Sequence, residues 1–183
     1  MPTRVGRSGL RPGKRAPKFT LPSIGGDTAG GEVGPEHYAG RKLLLVFMQP
    51  GCGPCHGLTP ELNRLHDAGE VRVLVIHNGD TEAIRGWVKE NRPHFAVAVQ
   101  QHFNVSKRHE VFATPFAFLI DERGVISSRG IVSTKQFLGF VLAGAGHDEE
   151  DGDGAAETFP GSHASPADAG ESSRSYSKEL DHV

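Results

Sequence analysis

The chain contains two cysteines, Cys52 and Cys55, in the stretch Phe47-Met48-Gln49-Pro50-Gly51-Cys52-Gly53-Pro54-Cys55-His56. Thiols at this spacing support two kinds of chemistry: reversible disulfide formation, or half of a four-ligand zinc site. The surroundings favour the first. An apolar run, Leu43 to Met48, gives way there to a helical pattern, so the pair falls at a strand-to-helix turn. A thiol at a helix N-terminus faces unpaired backbone N–H groups, which favour the thiolate. Cys52 is therefore the expected nucleophile, and Cys55, one turn further in, is placed to close the disulfide. Gly53 allows close approach of another backbone, and Pro54 falls in the first turn, where its missing N–H costs little. Zinc would need further ligands, and there is neither a second C-x-x-C nor an H-x-x-x-H near the motif. No metal is expected. His56, next to Cys55, is a possible proton acceptor, whereas His66 and His77 read as surface residues.

The elements that must position this pair follow from periodicity. Leu43–Met48 reads as a central strand buried on both faces. After Cys52, Leu58, Leu62 and Leu65 form a core-facing helical stripe that Pro60 should kink and Gly69 should end. A second strand spans Val71 to Ile76. A helix capped by Asp80 or Thr81 carries Ile84, Trp87 and Val88 inward and stops at Asn91 and Pro93. Phe95 to Val99 is a third strand, and a short helix near Val105 to Glu110 follows, with Asn104 as its cap. Phe116 to Ile120 and Val125 to Ser128 form a hairpin across Asp121-Glu122-Arg123-Gly124. Ser133-Thr134-Lys135-Gln136 has the form of a capping box and opens a last helix, closed by Gly144. The order is β-α-β-α-β-α-β-β-α, an α/β fold with a mixed sheet flanked by helices.

The formal net charge of −2 conceals an asymmetry. Residues 1–19 carry six Arg or Lys and no acid; residues 145–183 carry ten Asp or Glu against two bases. These extremes lie in segments with little apolar pattern, so residues 1–13 read as a flexible basic arm and 146–183 as a disordered acidic tail. The domain between spans residues 14–145, and nucleic acid is not expected as a partner. No apolar run has the length of a signal segment or membrane span. As written, the chain reads as cytoplasmic, or extracytoplasmic if the natural N-terminus is longer.

This layout, with Cys52-Gly53-Pro54-Cys55 after a buried strand, resembles the thioredoxin superfamily over roughly residues 14 to 144. The opening Gly13-Lys14-Arg15-Ala16-Pro17-Lys18-Phe19-Thr20-Leu21-Pro22, the inserted strand and helix from Phe95 to Glu110, and Thr114-Pro115 ahead of the hairpin are similar to its TlpA/ResA/MauD branch and redoxin relatives. The resemblance implies a thioredoxin fold with an N-terminal extension, a cis Thr114–Pro115 bond facing the disulfide, and substrate held on that backbone. It implies a protein-disulfide reductase that works through a redox-active Cys52–Cys55 disulfide with no other cofactor. Its partners would be a protein disulfide and an upstream reductant, with the enzyme a monomer. Three positions depart from the pattern: Gly51 stands where Trp is usual, and Val46 and Leu58 stand where a buried carboxylate is usual. Two other readings compete. A peroxiredoxin-like peroxidase would need Thr where Gln49 stands, and a non-enzymatic metal carrier or scaffold would use a different cysteine spacing.

Overall fold

A run without polar residues suits a strand covered on both faces, and β3 (Leu43–Met48) is buried at every position. The computed structural model describes residues 8–144 of the chain. Around β3 the sheet has seven strands in the order β2-β1-β5-β4-β3-β6-β7. The others are β1 (Leu21–Gly25), β2 (Glu32–Val33), β4 (Arg72–Asn78), β5 (Ala96–Gln100), β6 (Phe116–Ile120) and β7 (Ile126–Ile131). Strands β3, β4 and β5 are parallel, as helical crossovers require. β6 runs antiparallel to β3, and β7 to β6 across the hairpin. The Asp121 carboxylate closes that turn by accepting the N–H groups of Arg123 and Val125, both near 2.9 Å.

Side-chain alternation gives the sheet two cores. Leu44, Val46, Met48, Val73, Val75, Val97 and Val99 meet the helices α1 (Gly53–His56), α2 (Thr59–Ala68), α3 (Thr81–Asn91) and α5 (Lys135–Leu142). Leu43, Leu45, Phe47, Leu74, Ile76 and Phe118 meet the N-terminal segment and α4 (Asn104–Arg108). Each fully buried aliphatic or Phe side chain contributes about 1.5–3 kcal/mol, so these two layers hold the fold together.

Several local expectations are corrected. Residues 8–10 are packed rather than part of a flexible arm: Ser8 and Leu10 are buried, whereas Arg11, Pro12 and Gly13 are exposed. Gly9 and Leu10 donate their N–H groups to the carbonyls of Glu110 and His109, at 2.6 and 3.0 Å. The Arg129 guanidinium donates to the Ser8 carbonyl at 2.6 Å and also to that of Gly9. Gly9 lies at φ +86°, and a Cβ there would sit 2.6 Å from the Phe116 ring, so only glycine fits this approach. The remainder of the expected arm, and the whole of the expected tail, lie outside the described residues. The helix after Cys52 breaks rather than kinks. α1 ends at His56, and Pro60 occupies the first turn of α2, where a proline lacks nothing. Thr134, not Ser133, caps α5, its hydroxyl accepting the Phe137 N–H. Phe103, in a left-handed conformation, precedes α4 in place of Asn104. Among the described residues no helix is long and apolar enough to cross a membrane; that assigns no compartment, and the cytoplasmic expectation has nothing further behind it.

Candidate functional site

β3 delivers the chain to the cysteine loop at the C-terminal end of the parallel strands, the usual place for a site in such sheets. Gly51 turns the chain with φ +78°. The Cys52 N–H donates to the Gln49 carbonyl at 3.3 Å, and the Cys55 N–H to the Cys52 carbonyl at 3.1 Å. Cys52 is the N-cap of α1. The two residues form a disulfide, with Cα atoms 5.3 Å apart. The sulfurs have unequal surroundings: Cys52 is half-buried, whereas Cys55 is 1% exposed. Gly53 and Pro54 are exposed between them.

The seat of Cys55 is apolar. Val46 and Leu58, which stand where a carboxylate is usual in the resembled branch, are 0% and 2% exposed and share a hydrophobic cluster with Cys55, Met48, Leu62 and Val132. Glu61 on α2 is the next carboxylate along the chain, but its oxygens are engaged by Arg64 and by Lys135, the latter at 3.5 Å. The hydrogen bond from Arg64 holds its carboxyl below the usual range, which makes Glu61 a poor proton acceptor.

His56 is exposed directly after Cys55. His77 is buried, contrary to the surface expectation. It is the penultimate residue of β4, opposite Met48 in the register, on the cysteine-bearing face, with its ring 4.6 Å from that of Trp87. Neither ring nitrogen has a hydrogen-bond partner. Burial pushes its pKa down to about 4, and the nearby charge of His56 adds to that lowering, so His77 is neutral at neutral pH. His66 is also buried: its Nδ1 accepts the Val73 N–H at 3.3 Å, and its Nε2 lies 3.4 Å from the Asp27 carboxylate. The sequence signal for His77 was available, since it directly follows the apolar run Val73–Ile76.

The Thr114–Pro115 peptide is cis, and the sheet register places it. β6 pairs with β3 up to Phe47 opposite Phe116. Pro115 therefore enters β6 beside the end of β3 that leads to the cysteine loop. Pro115 accepts the Val132 N–H at 3.0 Å. Ala113 and Thr114 are half-buried, and their backbone groups enter no hydrogen bond among the described residues. The described residues hold no cluster of three or more His, Cys, Asp or Glu suited to a metal ion.

Residues 12–129 match the family model described as the AhpC/TSA family. Among curated proteins, the chain is 29% identical to the methylamine utilization protein MauD of Methylobacillus flagellatus over 132 residues, 69% of this chain and 60% of MauD. It is 27% identical to the thiol-disulfide oxidoreductase ResA of Bacillus thuringiensis subsp. konkukian over 118 residues, 62% of this chain and 66% of ResA. The chain thus spans less than two thirds of the length of these relatives. Among solved structures, a DsbE-type thiol:disulfide interchange protein from Chlorobium tepidum superposes with a TM-score of 0.64 at 25% identity, covering 75% of this chain and 99% of that one.

Proposed function

Because the chain belongs to the AhpC/TSA family, and within it is similar to thiol–disulfide oxidoreductases, we propose that it reduces or exchanges protein disulfides through Cys52 and Cys55. The observation that carries this reading is the asymmetric disulfide at the end of the central strand, with a half-exposed Cys52 and a buried Cys55. In the reduced protein the Cys52 thiolate attacks one sulfur of the target disulfide. A mixed disulfide forms and the first target thiolate leaves. Cys55 then loses its proton, and its thiolate attacks the Cys52 sulfur. The Cys52–Cys55 bond closes and the second target thiolate departs. Two electrons pass from the dithiol to the target, and an upstream dithiol reductant returns them. The pair itself is the redox centre, and no other cofactor enters these steps.

The roles within the site follow from position. The first-turn N–H groups of α1 favour the Cys52 thiolate. The backbone of Ala113 and Thr114, which makes no hydrogen bond among the described residues, pairs with the target as an added strand. His56, exposed beside Cys55, takes the resolving proton directly or through water. The enzyme works as a monomer. Reduction of insulin disulfides by the dithiol-charged protein tests the proposal: the wild type accelerates it, and Cys52→Ser abolishes it. Rapid turnover of hydrogen peroxide with no activity on insulin would favour the peroxidase reading instead.

A further inference from the structure

Thr59 opens α2 four residues after Cys55. It is 2% exposed, and among the described residues its hydroxyl has no hydrogen-bond partner. A helical threonine ordinarily bonds the carbonyl three or four residues back; Thr59 does not. A buried hydroxyl without a partner destabilises the state that holds it. Here that state is the disulfide form of the protein.

The backbone brings this hydroxyl to Cys55. Between α1 and α2 the chain keeps turning: Gly57 (φ −74°, ψ −12°) and Leu58 (φ −87°, ψ −27°) both lie in the right-handed helical region. The Leu58 N–H donates to the Cys55 carbonyl at 3.3 Å, and the Leu62 N–H to the Leu58 carbonyl at 2.9 Å. Cys55, Leu58, Thr59, Leu62 and His66 therefore form one buried stripe, while His56, Gly57 and Pro60 face outward. Residues four apart on such a turn have Cβ atoms about 5–6 Å apart. Each side chain also leans back over the preceding turn, which directs Thr59 towards Cys55. The apolar neighbours Val46, Met48, Leu58 and Val132 carry no donor. The titratable groups on the surrounding elements are His56, exposed on α1, Glu61, engaged by Arg64 and Lys135, and His77, buried on β4.

We propose that, once the disulfide opens, the Thr59 hydroxyl donates a hydrogen bond to the Cys55 sulfur and so favours the thiolate that resolves the mixed disulfide. The proposal rests on the thiol–disulfide exchange reading and adds a catalytic group to it. A disulfide sulfur is neutral and accepts weakly, whereas a thiolate is charged, so the bond strengthens in the reacting state. Thr59 keeps its own proton. The Cys55 S–H proton leaves to His56 or water, and the thiolate attacks the Cys52 sulfur. The bond from Cys52 to the target then breaks, with its electron pair on the departing target thiolate. A hydrogen bond confined to the ionised form lowers the pKa of the thiol by about one unit. A less basic thiolate is also a weaker nucleophile, with a Brønsted slope of about 0.4–0.5. Removing the hydroxyl therefore leaves about tenfold less thiolate below the midpoint, but each thiolate reacts about threefold faster.

The test is the pH profile of peptide release from a mixed disulfide with Cys52, measured on the full chain as wild type, Thr59→Val and Thr59→Ser. Thr59→Val keeps the branched shape without the hydroxyl, and Thr59→Ser keeps the hydroxyl. Thr59→Val should move the midpoint up by about one pH unit. Its profile should cross that of wild type, about threefold slower below the midpoint and about threefold faster above it. Thr59→Ser should follow wild type. The oxidised Thr59→Val protein should melt no lower than wild type, because it has lost an unpartnered buried hydroxyl. A Thr59→Val profile that coincides with wild type, or an equal shift in Thr59→Ser, would overturn the proposal. A uniform loss at every pH with a lower melting temperature would assign Thr59 to the fold, also against it. Failure of all three proteins to form an adduct on Cys52 would refute the exchange reading itself, and the proposal with it.

Discussion

Leu58→Glu probes the resolving step where the structure makes it most demanding. Leu58 is 2% exposed and packs in one cluster with Cys55 and Val46. An apolar seat disfavours the Cys55 thiolate, because burial penalises the charged form. A glutamate at 58 would place a carboxyl in that seat, and the same burial would raise its pKa towards neutrality, where a general base is most effective. The substitution costs about 2 kcal/mol of apolar burial and about 1–3 kcal/mol for an incompletely bonded polar group. A fold of ordinary stability, about 5–15 kcal/mol, tolerates that loss. The assay is stopped-flow release of a peptide from its mixed disulfide with Cys52. In wild type, release at neutral pH should be slow and should rise with pH as Cys55 deprotonates. In Leu58→Glu it should be faster by about tenfold or more at neutral pH, with a weaker rise above it. Leu58→Gln matches the shape without the proton-accepting group and should stay near wild type. Fast, pH-independent release in wild type, unchanged by Leu58→Glu, would show that proton removal from Cys55 does not limit the step.

The asymmetry of the cysteines predicts that iodoacetamide labels Cys52 before Cys55 in the reduced protein; faster labelling of Cys55 would reverse the assigned roles. His77 and His109 titrate near about 4 in the fold, against 6.5 unperturbed, because both are buried; the unfolded chain therefore binds more protons between these values, and stability falls as pH drops through that window, by up to about 3 kcal/mol for each. Urea unfolding at neutral pH and near about pH 4.5 should show this loss, with a smaller one in His109→Leu. Gly9→Ala, strained at φ +86° and driven into the Phe116 ring, should destabilise the domain by about 1–3 kcal/mol in the same assay; an unchanged midpoint would mean that residues 8–10 are not part of the fold.

The features legible in the sequence are those that local pattern specifies. The polar-free run Leu43–Met48 announced the central strand, and its junction with Cys52 announced the site. Asp80 caps α3 as its position suggested, accepting the Ala83 N–H. What escaped reading depends on partners far away in the chain. Residues 8–10 have one large apolar residue among them and are held by backbone and guanidinium hydrogen bonds to residues about a hundred positions away. Their composition signals a tail, and only the assembled β6–β7 edge gives them a place. β7 runs three residues past its expected end because Arg129 is sheltered by that same segment. His66 and His77 look like surface residues by type, but α2 packing and the central position of β4 bury them. At the site, sequence spacing located both cysteines, and the resemblance implied the cis Thr114–Pro115 bond. Neither could show that Glu61 is occupied by Arg64 and Lys135, nor that the Thr59 hydroxyl is buried without a partner among the described residues.

The central claim is that Cys52 forms, and Cys55 resolves, a covalent bond to a target sulfur. Cys55→Ser protein, reduced and mixed with a disulfide-linked peptide, tests it directly by intact-mass and peptide-mapping mass spectrometry. The account predicts an adduct of one peptide on Cys52 that persists in Cys55→Ser and is released in wild type, faster as the pH rises. Absence of any adduct, or an adduct that wild type retains as long as Cys55→Ser does, would contradict it.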